Sequence, residues 1–334
     1  MYMKILVAGA GINGILAAYF LAKDGHQVTV LDKNKDIALS ASYANCSQLS
    51  FSDVIPWNNS FLSLFTSPFI SCQSFDYNFL LWLKKFMKYS KKKNKEIIIK
   101  NLYEIGKLSR ELFLNIIENE DIELEKYNKE IYHIFRDKSN YNHNLQYINL
   151  CKNLGCNMEE IYKSEIDNDR LLKKNQIYKI LSYKDDYGCD SKLFAKKIYN
   201  ICKNQLGVEF IFNVNIKNIL TNHKDITAIN SDDFVFTADK YIYAMGSEGI
   251  NLLDGIKINH GIYPIAGYSL TFESESEQLP NIIATDVANK IVYNKIEKNK
   301  FRIAGIAEIN KRSIINDNKL LNQYNNSMIK FLIN

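Results

Sequence analysis

The six cysteines of this 334-residue chain, at positions 46, 72, 151, 156, 189 and 202, include no C-x-x-C pair. Cys151 and Cys156 have no histidine at ligand spacing, so the cysteines describe no metal site and no redox motif. Free thiols in a reducing cytoplasm are the simpler reading. No apolar run approaches the length of a membrane span, and the chain enters its first strand without a signal-peptide pattern, so a cytosolic location is expected. The formal charge is only +5. Its lysines come with no recognition motif and no aromatic stacking platform, and nucleic acid is not an expected partner. With 46% hydrophobic residues, the chain has material for a sizeable core, in one large α/β unit or two compact domains.

Against these absences stands one dense stretch, "VAGAGINGILAAYFLAKDGHQVTVLDKN", at positions 7–34. The apolar run Met3 to Ala8 reads as a buried parallel strand, and Gly9, Gly11 and Gly14 follow it as G-x-G-x-x-G. In that spacing the first glycine permits the tight turn, the second lets backbone approach a pyrophosphate, and the third lets the next helix pack on the sheet. Ile15 to Ala22 continues as an apolar helix whose N-terminal amides face the phosphates. A second strand, Gln27 to Leu31, ends at Asp32. A carboxylate there accepts hydrogen bonds from both ribose hydroxyls and repels a 2′-phosphate, which argues against NADP. Between NAD and FAD this motif does not choose.

After Asp32 the Ser-rich stretch Ala38 to Trp57 reads as loop and short helix beside the nucleotide turn. The segment "FLLWLKKFMKYSKKKNK", Phe79 to Lys95, sets a bulky apolar patch before a lysine cluster. Two readings stand side by side: a membrane-surface or quinone-facing helix, and a solvated helix packed on the core. Glu96 to Glu118 carries apolar residues near a 3.6 period and predicts a long amphipathic helix. Ile131 to Phe135 predicts a strand, and Ile148 to Ile166 a helical connection. Ser191 to Leu206 predicts a helix closed by Gly207, followed by the strand Val208 to Phe212. Three short segments, Ile216 to Thr221, Asp225 to Asn230 and Phe234 to Ala238, predict an antiparallel meander. Lys240 to Ala244 returns as an apolar strand running into "AMGSEG", where small residues again bring amides near a dinucleotide. A nucleotide-binding half, a long insertion and a second nucleotide-binding portion suit a flavoprotein oxidoreductase better than an NAD dehydrogenase.

The opening stretch, "ALSASYANCSQLS", "EIYHIFRD", "GVEFIFNVNIKNIL", "YIYAMGS", "YPIAGYSLT" and "RIAGIAEI" together resemble the D-amino acid dehydrogenase small subunit family, within the FAD-dependent amine and amino-acid oxidoreductases. The similarity runs over almost the whole chain, in the family's order and spacing. It implies an α/β fold: a Rossmann-like FAD-binding domain with a parallel sheet plus an antiparallel β-meander, and an α+β substrate domain inserted. The implied boundaries are 1–57 and 185–262 for FAD, 58–184 and 263–334 for substrate. The implied reaction is oxidative deamination of small D-amino acids to 2-oxo acids and ammonia, with electrons leaving to a respiratory acceptor such as a quinone. Such an acceptor suits a peripheral position on the inner face of the membrane.

By position, the resemblance assigns Gly9, Ala10, Gly11, Ile12, Asn13 and Gly14 to the pyrophosphate turn, and Asp32, with Lys33, to the adenosine ribose. It assigns the Ile216 backbone to the adenine edge, Ala44 and Asn45 to the pyrophosphate, and Ser47, Gln48 and Leu49 to the flavin ring. Ala244 and Gly246 complete the cleft. Tyr263 and Tyr268 are candidates for lining an amino-acid pocket, or else core tyrosines with satisfied hydroxyls. The family favours Ala-Gly where this chain has Cys46-Ser47, and the added side chains are expected to weaken flavin packing. The family also continues past the point matching Asn334, into an Arg-Pro segment that holds the substrate carboxylate and a Gly-rich loop over the flavin. Arg302 does not match that arginine. The expectation is a C-terminally truncated member: a working flavin-dependent dehydrogenase, by itself or completed by another polypeptide, or a non-catalytic remnant retaining the fold and weak FAD binding. An oxygen-using glycine or sarcosine oxidase type is the third alternative; nothing marks the covalent flavin anchor or the basic group above the ring that such enzymes use.

Overall fold

The computed structural model describes residues 2–55, 70–72, 76–123, 130–165, 176–223, 225–273, 282–297 and 299–309. Pro56 and Trp57, the aromatic stretch 61–69 and the segment "SMIKFLIN" lie outside the described residues. The chain opens with β1 (Lys4–Ala8), α1 (Ile12–Lys23) and β2 (Gln27–Leu31), then β3 (Gln48–Leu49), β4 (Ile70–Cys72), α2 (Tyr77–Tyr89) and α3 (Lys92–Asn119). It continues through β5 (Ile131–Phe135), α4 (Lys138–Asn153), β6 (Met158–Ile161), β7 (Lys179–Tyr183), β8 (Tyr187–Gly188) and α5 (Ser191–Asn204). Strands β9 (Glu209–Ile211), β10 (Ile216–Asn222), β11 (Asp225–Ser231), β12 (Val235–Phe236) and β13 (Lys240–Tyr243) precede α6 (Ile250–Gly255). The last four are β14 (Ile265–Glu273), β15 (Ile283–Asp286), β16 (Ile291–Glu297) and β17 (Lys300–Ile309).

Two compact units share these elements, one formed by 1–45 with 190–264, the other by 46–189 with 265–334. In the first, β13, β1, β2 and β9 lie in that order, each neighbouring pair parallel. Four of the five β1 residues are buried, as a strand covered on both faces requires, which is why this run shows no alternation. Helix α1 buries Gly14, Ile15, Ala18 and Tyr19 and packs against α5, whose Asp190 carboxylate caps the amides of Lys192 and Leu193. Strands β10, β11 and β12 form a separate antiparallel meander. Leu6, Ala8, Leu31, Val214, Ile216 and Ile229 make the core of this unit.

The second unit is built on an eight-stranded mixed sheet, ordered β14-β17-β16-β15-β5-β7-β6, with β4 parallel to β17. Strand β5 pairs parallel with β15 and antiparallel with β7. The core holds Ile134, Ile180, Ala284, Tyr293, Phe301 and Ile303. Helix α3 spans the expected amphipathic segment and buries Ile99, Tyr103, Phe113 and Ile116. Two expectations fail here. The helical connection over 148–166 is instead the end of α4, then β6, whose backbone groups are satisfied by antiparallel pairing to β7; tertiary pairing overrides the local pattern. The described part of the Ser-rich stretch after Ala38 contains no helix, only turns and β3, which pairs with β8. That pairing carries residues from Cys46 onward into the second unit.

Candidate cofactor site

The turn after β1 is closed by backbone contact that leaves no room for side chains. Gly9 has φ +110°, and a Cβ there would lie 2.5 Å from the Ala244 carbonyl oxygen. At Gly14 a Cβ would lie 1.8 Å from the Gly9 oxygen. Both positions therefore require glycine for close approach, one of β13 to the turn and one of α1 to the turn. Gly11 differs: a Cβ there would meet nothing nearer than Ser42 Oγ at 3.5 Å, so its outer face is open. Gly11 also caps α1 with no side-chain bond of its own.

The first amides of a helix lack intrahelical partners. Ser42 Oγ accepts one, from Ile12, at 3.2 Å, while Asn13 is exposed. Ser42 was not among the expected residues; only its place in a Ser-rich stretch hinted at it. The Asp32 carboxylate closes the other side: Oδ2 accepts from the Ala10 amide at 2.6 Å, and Oδ1 from the Asn34 amide at 2.8 Å and side chain at 3.0 Å. A carboxylate offers about four acceptor positions, so one on Oδ2 remains for a hydroxyl. Beside it, the Asp32 amide donates to Ile211 O and its carbonyl accepts from Val214, which brings the start of β10 and buried Ile216 to the same sheet edge.

Ala244 donates to Ala8 O at 2.8 Å, completing the turn. Gly246 has φ +58° and its carbonyl accepts from Tyr243 Oη. Lys33 pairs with Glu248 at 2.6 Å, both side chains well exposed. Asn45 Oδ1 accepts from Ser191 Oγ at 2.8 Å, next to half-buried Ala44. The cleft at the opposite, N-terminal ends of β1 and β2, about 290 Å³ and lined by Lys4, Gln27, Thr29 and Glu209, is not at the strand ends where open α/β sheets bind ligands.

Ser47, Gln48 and Leu49 belong to the second unit. Ser47 is buried with φ +58° and its carbonyl accepts from Cys189; Gln48 Nε2 donates to Thr285 Oγ1 at 3.1 Å. Asn294 Nδ2 donates to Cys46 O at 2.8 Å, and burial pushes the Cys46 thiol up to about 12, so it is no nucleophile. The two candidate pocket tyrosines fall in different units: Tyr263 is buried in the first, and Tyr268, on β14 of the second, donates its hydroxyl to Glu308 of β17, which is 1% exposed. Glu308 had no sequence signal beyond its place in "RIAGIAEI". Among the described residues no cluster of His, Cys, Asp or Glu could hold a metal, and no helix is long and apolar enough to cross a membrane.

The sequence profile of the FAD dependent oxidoreductase family matches residues 4–326. The chain belongs to this family. Its cofactor is FAD, which decides the choice that the glycine turn leaves open. A D-amino acid dehydrogenase of Neisseria gonorrhoeae is 28% identical over 319 residues, 92% of this chain and 76% of that protein. Among solved structures, glycine oxidase from Geobacillus kaustophilus superposes with a TM-score of 0.68 at 15% identity, covering 92% of this chain and 71% of the other. The L-alpha-glycerophosphate oxidase from Mycoplasma pneumoniae with FAD bound gives 0.64 at 15% identity, covering 97% and 77%. At that identity the likeness speaks for the fold, a parallel sheet with antiparallel sheets, as expected. The residues of the first unit fit FAD: an open glycine face, a helix N-terminus whose cap residue is a glycine, and an acid with one acceptor position to spare.

Proposed function

We propose that this FAD-dependent oxidoreductase oxidises D-amino acids to 2-oxo acids and ammonia and passes the electrons to a respiratory acceptor such as a quinone. The observation that supports this substrate class is the match to a D-amino acid dehydrogenase across 92% of the chain. When bound, FAD supplies a two-electron acceptor. The chain supplies the binding: Gly9 to Gly14 and the α1 amides take the pyrophosphate, and Asp32 takes the ribose. Lys33, Ala44, Asn45, Ala244 and Gly246 border the same cleft, with the Ile216 backbone toward adenine. Ser47, Gln48 and Leu49 lie beside the ring. Tyr268, its phenol fixed by Glu308 and thus preorganised, is the residue we assign to the amino-acid pocket.

The acceptor side is assigned to α2. That helix exposes Tyr77, Leu80, Leu81, Met87 and Tyr89, and exposed Lys84, Lys88, Lys91, Lys92 and Lys93 lie on it and just beyond. Apolar side chains with interleaved lysines suit the headgroup boundary of an anionic membrane. The test is the anaerobic visible spectrum of the FAD-reconstituted protein before and after D-alanine, with L-alanine in parallel. Bleaching by the D-enantiomer alone is expected, with reoxidation by a quinone analogue and no peroxide in air. Flavin that D-alanine leaves oxidised would sink the reading for this substrate.

A further inference from the structure

Two residue pairs, Gln48 with Gly188 and Leu49 with Tyr187, make up the β3–β8 ladder, extended by one bond from the Cys189 amide to the Ser47 carbonyl. Side chains alternate along a strand, so a slip of one residue would exchange the faces of Gln48 and Leu49. So short a ladder does not hold its own register. The carboxylate next to it does. Asp186 is fully buried, and its oxygens accept three hydrogen bonds from the strap that continues β3: Oδ1 from the Ser52 amide at 2.8 Å and Ser52 Oγ at 2.9 Å, Oδ2 from the Asp53 amide at 3.2 Å. Asp53 in turn faces His133 Nε2 of β5 at 3.3 Å, and the His133 ring packs on Tyr183 of β7 with centroids 4.4 Å apart. Phe51, one residue earlier, is pressed against Gly106 of α3, where a Cβ would lie 2.0 Å from the Phe51 oxygen.

An apolar pair would join these segments at lower cost than a buried carboxylate. What an apolar pair lacks is a preference between registers, and charge-assisted bonds to two consecutive amides have one. We propose that Asp186 is the register pin of this strap, a positioning residue that fixes Ser47, Gln48 and Leu49 and so sets the surroundings of the flavin ring. Its second half rests on the placement of these three residues proposed above.

Amide hydrogen exchange on the full chain, with and without FAD, tests it. In Asp186→Asn the shape is kept, but the amide nitrogen faces a donor where Oδ2 accepted. Peptides covering 46–53 are expected to exchange at least tenfold faster than in wild type, with β1 and β13 peptides unchanged. The FAD-loaded variant is expected to show a shifted visible flavin band. Should Asp186→Asn not fold, Ser52→Ala removes one donor only and is read the same way, with a smaller acceleration. Glu160→Gln, at an exposed pair with Lys179, serves as the control. Unchanged exchange in the strap would overturn the pin. Faster exchange with an unaltered flavin band would overturn its link to the ring. Faster exchange in a chain whose wild type holds no flavin supports the pin and counts against the cofactor placement instead.

Discussion

Asp32 Oδ2 accepts the amide hydrogen of Ala10 at 2.6 Å, so the acid that ends β2 is bonded to the turn that follows β1. The same oxygen keeps one acceptor position, the one proposed above for a ribose hydroxyl. Replacing Asp32 with Ala removes both. Hydrogen bonds to a charged group contribute about 1.5–3 kcal/mol, so FAD affinity should fall about 10- to 100-fold. A fluorescence titration with FAD reads this directly, and an affinity within threefold of wild type would refute the ribose role.

Gly14→Ala and Gly11→Ala should separate folding from binding. A Cβ at 14 collides with the Gly9 carbonyl, whereas one at 11 meets only a serine oxygen at ordinary contact distance. Gly14→Ala should cost about 1–3 kcal/mol of stability, the range of overpacking. Gly11→Ala should melt with wild type but bind less FAD, because its methyl occupies the open face. Equal FAD affinity in Gly11→Ala would move the pyrophosphate elsewhere.

Burial raises Asp186 from 3.8 to about 6, against the bonds from Ser52. The folded state then holds this proton more tightly than the unfolded one, so the contribution of Asp186 to stability falls as pH rises from about 4 to 6. A shift of this size is on the order of 3 kcal/mol. At His133 burial acts to lower the pKa, but Asp53 and Asp186 overturn it and leave it raised above 6.5. Its contribution is complete below 6.5 and is lost as pH rises through the folded value. Denaturant midpoints measured against pH should show both declines as wild-type minus variant differences. Asp186→Asn should remove the lower one and His133→Gln the upper.

The nucleotide half of the first unit was legible because its signals are local. Strand, three glycines, helix, second strand and acid follow one another with no gap, and each element forms where its pattern predicts. The β10–β12 meander was legible for the same reason, its turns being polar and its strands short. The second unit was legible only in part: β5 and α3 form where their patterns predict, but its tertiary pairings are not local. Ser52 and Asp186 meet across 134 positions, and nothing in the neighbourhood of either residue announces the other. Strand β6 exists because β7 offers it an edge. The capping role of Ser42 lay hidden among several serines, of which only the folded turn selects one.

The lysines after α2 should govern binding to anionic vesicles. A lysine near such a surface contributes about 1 kcal/mol, so Lys91→Glu, Lys92→Glu and Lys93→Glu together should lower vesicle partitioning by roughly 100-fold or more. Leu80→Ser with Leu81→Ser should weaken it further at high salt, where charge is screened. Co-sedimentation that is indifferent to both sets of changes would remove this face from the acceptor side.

Strand β1 pairs with β2 on one edge and β13 on the other, Ile5 opposite Lys240. During synthesis the first strand therefore emerges long before its second neighbour exists, and the intervening chain includes residues 46–189 of the other unit. Closing so long a loop is an entropic toll levied before any reward from the sheet. Maturation of the nucleotide-binding half is thereby timed to the latter part of translation. A nascent chain stalled before position 240 would carry β1 with a bare edge, open to pairing with a neighbouring chain and a natural client for chaperones.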